Sequence, residues 1–265
     1  MNILVLIKEV PDMEKVRFDS ERGVVDRSSA PAEINPFDES ALQAALELKR
    51  KYGAHVTAMT MGPPRAEKTL QDAYARGADD AVLLTDRAFG GSDTIATSRT
   101  LAAAIRMGAY DLILCGEKSV DGDTAQVGAE TAQLLDIPHA YYVDSIEMAD
   151  EKTVRVSVEN LCGSRQVRTM KLPALVGVTK NIGKLELPTV DRKLESREKE
   201  FRKMGLSDMD DLAKEDTGFA GSPTKVAKIQ VPKAVERESR VYREDLDGFL
   251  QLLKKEFAER GVRCE

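Results

Sequence analysis

Four short apolar runs, each followed by a helix-length segment, constrain this 265-residue chain more than any other feature. Ile3–Ile7 is apolar throughout, and a run without polar alternation must be buried on both faces, as in a parallel strand. Asn35-Pro36 then opens a helix to about Lys51. Asn35 suits its cap, Pro36 its first position, and Ala41, Leu42, Ala45, Leu46 and Leu48 form one apolar stripe. Gly53 ends that helix and His55–Met61 is the second strand. A helix over Arg65–Arg76, stopped by Gly77, leads to the strand Ala81–Leu84. A helix from Asp93 to Met107, with Ser92 as its cap, leads to the strand Leu112–Cys115. A last helix, Thr124–Leu135, closes at Ile137-Pro138. Strands joined by helices of this length need right-handed crossovers, which predicts an α/β fold with a doubly wound parallel sheet.

After Pro138 the rhythm changes. Tyr141–Met148, Thr153–Glu159, Gln166–Leu172 and Ala174–Val178 follow one another without helices, which predicts antiparallel strands added to the sheet edge. Beyond Thr179 lie the highly charged "LPTVDRKLESREKEFRKMG" and then "TGFAGSPTKVAKIQVPKAVERES", whose apolar residues keep no period. Such a stretch can hardly bury a core of its own. A final amphipathic helix from Glu244 to Arg260 carries Leu246, Phe249, Leu250, Leu253 and Phe257 on one face. The expected organisation is an α/β domain over 1–182 and an extended C-terminal arm over 183–265. An arm of this kind suits a partner that it wraps, or equally a helix that returns to its own domain.

Composition removes several function classes. Charged residues make up 32% of the chain and hydrophobic ones 42%, which fits a soluble globular protein, and no apolar run approaches the length of a membrane span. Met1-Asn2 runs straight into the first strand, with no basic leader of an export signal. A net charge of -6 argues against a nucleic-acid surface. Three scattered cysteines without a CxxC pair fit reduced thiols in a cytoplasmic protein, and His55 and His139 are too isolated for a local metal site.

Ligands of open α/β sheets bind at the carboxyl ends of the strands. Here that edge receives Lys8–Asp12, Thr60–Arg65, Asp86–Thr94 and Gly116–Thr124, together with the helix start at Asn35. "MGPPR" and "FGGSD" pair glycines with a following helix N-terminus. Singly each is ordinary turn chemistry; together they favour a nucleotide or dinucleotide. "GEKSVDGDTAQVG" is neither a dinucleotide fingerprint nor a Walker loop. Its phosphate donors would be the amides around Asp123–Val127 and the Thr124 hydroxyl. Three acids, Glu117, Asp121 and Asp123, stand where an anion should sit, and they suit capping the helix or meeting ribose hydroxyls. No catalytic side-chain constellation can be assembled, so any chemistry would come from a bound cofactor.

Six motifs, in order along nearly the whole chain, resemble the β subunit of electron-transfer flavoproteins. They are "VLIKEVPD", "NPFDESALQAALELK", "TMGPP", "GADDAVLLTDRAFGGSDT", "VDGDTAQVGAETAQLL" and "GSPTKV". The resemblance implies a fold like that of the adenine-nucleotide α-hydrolase group and a pairing with a larger α subunit that carries an FAD. It implies a nucleotide pocket in this chain at Leu6, Lys8, Asn35, Pro36, Phe37, Asp38, Met61 and Gly62. The same pocket takes Phe89, Gly90, Gly91, Asp93 and Thr94, and then Val120, Asp121, Gly122, Asp123, Thr124, Ala125, Gln126, Val127 and Gly128.

Within the family, "DRAFGGSDT" and "DGDTAQVG" are similar to the anaerobic, electron-bifurcating group. There the pocket holds a second FAD reduced by NADH, which feeds a ferredoxin or flavodoxin and, through the α-subunit FAD, a dehydrogenase of acyl-CoA or hydroxy-acid type. Gly90-Gly91, Gly122 and Ala125 are expected to leave room for the diphosphate and the flavin. In non-bifurcating members the pocket holds AMP as a structural ligand. Glu117-Lys118 stands where the family is expected to have Arg-Gln, and Asp191–Lys203 lies where it carries a partner-recognition loop. A stand-alone nucleotide-binding stress protein of similar fold is the rival from another class, although such a protein needs no long tail.

Overall fold

The computed structural model describes residues 1–12, 14–19, 24–26, 30–159, 163–226, 241–243 and 245–261. Strand β1 (Asn2–Leu6) is followed by the short strands β2 (Glu9–Pro11), β3 (Arg17–Asp19), β4 (Val24–Asp26) and β5 (Ala32–Ile34). Of these, β2 pairs with β5 and β3 with β4, each antiparallel. The alternation follows: α1 (Pro36–Tyr52), β6 (His55–Met61), α2 (Glu67–Arg76), β7 (Asp80–Leu84), α3 (Thr94–Arg106), β8 (Leu112–Gly116) and α4 (Val127–Leu135). Then come β9 (His139–Asp150), β10 (Thr153–Glu159), β11 (Arg165–Lys171), β12 (Ala174–Val178), α5 (Val190–Glu195), β13 (Arg202–Met204) and α6 (Leu246–Glu259).

Nine strands form the main sheet in the order β11-β10-β9-β12-β8-β1-β6-β7-β13. Its centre is parallel, and α1 and α2 cover one face while α3 and α4 cover the other. Ile3 and Val5 of β1 therefore pack with Ala41, Leu42 and Leu70, whereas Leu4 and Leu6 pack with Leu101, Ala104 and Ala132. Both faces of β1 are buried, which is why its sequence does not alternate.

The sheet confirms the doubly wound parallel fold and changes its edge. Only β10 and β11 extend it antiparallel. Ala174–Val178, expected as an antiparallel edge strand, is instead the parallel strand β12, inserted between β8 and β9. All five of its residues are buried, the signature already visible in "ALVGV". β9 also runs parallel to β12. Within the tail, β13 pairs parallel with β7 and so belongs to the sheet.

Two helix starts also differ. Asp93, not Ser92, caps α3: its Oδ1 accepts the N–H of Ala96 at 3.1 Å, while Ser92 Oγ donates to the Phe89 carbonyl at 2.8 Å. α4 begins at Val127, three residues after the expected Thr124, because 117–126 is an irregular loop with a turn at 120–122 and left-handed residues at Asp123 and Ala125.

The chain divides into two units, Met1–Ile229 and Gln230–Glu265. In the second, α6 exposes Leu246, Phe249, Leu250 and Phe257; Glu244, the expected start of that helix, lies outside the described residues. Among the described residues no helix is long and apolar enough to cross a membrane.

Candidate functional site

The site is built around the ends of β1 and β8, which are neighbours in the sheet. Asp38, in the first turn of α1, points down between them. Its Oδ2 accepts the N–H of Lys8 and its Oδ1 the N–H of Gly116, both at 2.9 Å. Gly116 is required here, since a Cβ would lie 2.5 Å from Phe37 Cβ and 2.6 Å from Asp38 Oδ1. Burial pushes the Asp38 carboxyl up to about 7, against the pull of the N–H groups of Gly116 and Lys8.

Asn35 occupies the cap position of α1 but makes no capping bond. Fully buried, it donates from Nδ2 to the Lys118 carbonyl at 2.8 Å and accepts the N–H of Val120 on Oδ1 at 3.1 Å. The expected cap is thus a tether for the loop that follows β8. The reason is local satisfaction: that loop turns inward at 118–120 and would otherwise bury unpaired backbone groups.

The three acids of the loop resolve differently from one another. Asp121 is held by Lys8 Nζ at 2.6 Å, with only 5% of its side chain exposed. Asp123, 67% exposed, pairs with Lys118 at 2.7 Å. The cap position of α4, Gln126, makes no capping bond. Glu117 has its carboxyl raised chiefly by burial, with Lys118 opposing and Glu159 reinforcing the shift. Asp121 and Asp123 answer lysines, and in the first turn of α4 the N–H of Ala129 is met by the Tyr141 hydroxyl.

The loop also stores strain. Asp123 and Ala125 have φ of 52° and 54°, a left-handed conformation that costs a non-glycine residue about 1–2 kcal/mol. They flank Thr124, which is exposed. A Cβ on Gly122 would meet only Ser119 Oγ, at 3.6 Å, so the loop has free space on that side.

A second group of expected site residues sits after β7. Asp93 Oδ2 accepts from the backbone N–H of Thr224 at 2.9 Å and from its hydroxyl at 2.7 Å. Ser222 Oγ accepts the N–H of Asp93 at 2.8 Å. Although burial works against it, the N–H of Ala96 and the two Thr224 donors hold the Asp93 carboxyl below its usual range. Phe219 lies against Gly91, 3.3 Å from a Cβ placed there, and its N–H donates to the Gly90 carbonyl. The room expected beside Gly91 is thus taken by the tail. Thr94 Oγ1 donates to Glu130 of α4 at 3.2 Å, and Ser98 Oγ bonds both Glu130 and the Val127 carbonyl, which joins this group to the first.

Leu6 and Phe89 are core residues, so only their backbone can face a ligand. Met61 packs partly against the same core, and Gly62 donates its N–H to Leu84 of the next strand. Gly128 is buried against Tyr141, whose own side chain lies over Gly177. Pro36 fills the first position of α1, as expected. Sequence reasoning gave no site role to Ser119, Glu130 or Tyr141, and it named Lys118 only as a departure from the family's expected Arg-Gln. Two cavities lie away from this edge: one of about 420 Å³ lined in part by Thr57, Tyr110 and Arg202, and one of about 190 Å³ lined in part by Lys49 and Arg192.

Comparison with known proteins gives the same family as the motifs. The electron transfer flavoprotein domain model matches residues 22–208. The electron transfer flavoprotein subunit β of Clostridium acetobutylicum is 45% identical over 86% of this chain and 87% of its own. The subunit of the same name from Thermoanaerobacterium thermosaccharolyticum is 38% identical over 99% of this chain and 100% of its own. The caffeyl-CoA reductase-Etf complex subunit CarD of Acetobacterium woodii is 40% identical over 88% and 89%. By the domain match over most of its length and by these relatives, the chain belongs to the electron transfer flavoprotein β subunit family.

Proposed function

We propose that this chain is the β subunit of a heterodimeric, cytoplasmic electron transfer flavoprotein that binds FAD at the carboxyl edge of its sheet. It takes electrons from NADH and divides them, by bifurcation, between a ferredoxin or flavodoxin and a second FAD in the α subunit. That second FAD serves a flavin-dependent dehydrogenase of acyl-CoA or hydroxy-acid type. The name of the CarD relative, part of a caffeyl-CoA reductase complex, supports a partner acting on CoA esters.

The observation that carries the reading is the start of α4, whose cap residue Gln126 makes no capping bond, beside a strained loop with free space at Gly122. A helix N-terminus suits a diphosphate. The N–H groups at Val127 and Gly128 and the Thr124 hydroxyl would hold it. Asn35 and Asp38 would hold the loop and the two strand ends in place without touching the ligand. FAD, when bound, supplies the redox chemistry; the protein supplies binding, orientation and electrostatics. The exposed apolar face of α6 is the surface proposed to meet the α subunit.

AMP is the second reading, and Phe219 against Gly91 favours it, because it narrows the room for a larger ligand. Acid release of nucleotides from the purified α/β complex separates the two. Two FAD per heterodimer is the expected result. One FAD with one AMP would sink the bifurcation proposal and leave a structural β subunit.

A further inference from the structure

The position of β12 brings to the site a loop that the sequence pattern placed elsewhere. β12 lies beside β8 in parallel register, Val178 opposite Gly116, so both strands deliver their following loops to one edge. The N–H of Glu117 donates to the Val178 carbonyl at 3.0 Å, which fixes the two loops side by side. After β12, Thr179 donates its N–H to Val143 and accepts the N–H of Asn181 on its hydroxyl, which sets a tight turn over Lys180–Ile182.

From that turn the Lys180 side chain reaches back over α1. Its Nζ lies 4.7 Å from the centroid of the Phe37 ring, and Lys118 Nζ lies 5.8 Å from the same centroid. An aromatic face steadies an ammonium without neutralising it. Lys8 and Lys118 are each held by a carboxylate of the loop, at 2.6 and 2.7 Å. Among the described residues Lys180 makes no ion pair. Glu117, half-buried, is the carboxylate that acts on it from the adjoining loop.

We propose that Lys180 is an anion-contact residue of the nucleotide site, placed over Phe37 so that its ammonium meets a phosphate group of the ligand held by the loop 117–126. This rests on the nucleotide-site reading above. A lysine acts on phosphate as a point charge on a flexible stem, which suits a residue at the mouth of a site rather than in its floor. Lys180 is exposed and its head group lies on the outer face of Phe37, away from the core, so its substitution is expected to leave the fold intact.

The test uses the intact α/β complex after its β-site nucleotide has been removed, titrated with AMP, FAD and adenosine at low and high ionic strength. Relative to the unsubstituted complex, K180Q should bind AMP and FAD roughly tenfold more weakly at low salt, as expected for loss of one charged contact. K180E should weaken them further, and adenosine, which lacks phosphate, should bind all three proteins alike. High salt should shrink the difference. Unchanged AMP and FAD affinity in K180Q would overturn the role of Lys180 while leaving the site in place. An equal loss for adenosine would overturn it too, by showing a structural effect. An unsubstituted complex that binds none of the three would remove the site itself.

Discussion

The carboxylate of Asp38 and the N–H of Gly116 meet at 2.9 Å across 78 residues of sequence, so the first turn of α1 closes the end of β8. The second oxygen of the same carboxylate does this for the chain leaving β1. One buried side chain thus registers two strand ends against a helix, and its protonation bears on stability.

Burial raises that carboxyl from 3.8 to about 7 on folding. A carboxyl raised on folding favours the protonated native state. Its contribution is complete below about 3.8 and is lost as pH rises through about 7, a change of roughly 4 kcal/mol. Asp38→Asn cannot titrate, and it turns an amide NH₂ toward one backbone N–H, at a cost of about 1–3 kcal/mol. Urea unfolding should find the Asp38→Asn variant less stable than the unsubstituted protein at pH 4.5, with the gap closing by pH 8. A gap that stays constant with pH contradicts the buried titration.

Asn35→Ala should cost about 2–4 kcal/mol, because it strands the Lys118 carbonyl and the Val120 N–H in a largely buried place. Hydrogen exchange at Val120 should accelerate more than exchange in β1. Equal acceleration at both would mean general loosening and not release of a tether.

Gly128 faces Tyr141 so closely that a Cβ would come within 2.8 Å of Cys115 Sγ and closer still to the tyrosine oxygen. Gly128→Ala should therefore destabilise by about 1–3 kcal/mol through overpacking. In a Tyr141→Phe background the obstructing oxygen is gone, and the same substitution should cost measurably less. Additive costs in a double-mutant cycle would argue that the two residues do not meet.

Asp93 serves α3 with one oxygen and the tail with the other. Asp93→Ala should lower stability by about 1–2 kcal/mol, as loss of a cap does. It should also free the segment around Thr224, so that trypsin cuts after Lys225 faster. Asp93→Asn keeps one acceptor oxygen and should fall between. Cleavage at the unsubstituted rate in Asp93→Ala would show that the tail is held by other contacts.

How much of this was legible beforehand depends on the range over which each feature is decided. β1, β6, α1 and α3 were readable because an apolar run or stripe reports burial residue by residue. The bounds of α1 came out within a residue of the expectation, since Pro36 and Gly53 mark them locally. The strand "ALVGV" carried the same signal as Ile3–Ile7, but its position after three helix-free strands suggested an edge. Pairing is settled by which neighbour can bury the second face, and here that is β8.

The site divides in the same way. The sequence determined which residue types gather at the carboxyl edge, because the alternation of apolar strands and helices fixes which loops follow the parallel strands. It could not assign their partners. Asn35 has the composition of a cap and Asp121 that of a ribose or helix ligand, yet one tethers a loop and the other is buried under Lys8. Short polar side chains satisfy whichever unpaired group the fold brings within about 3 Å, and only the tertiary structure decides which group that is.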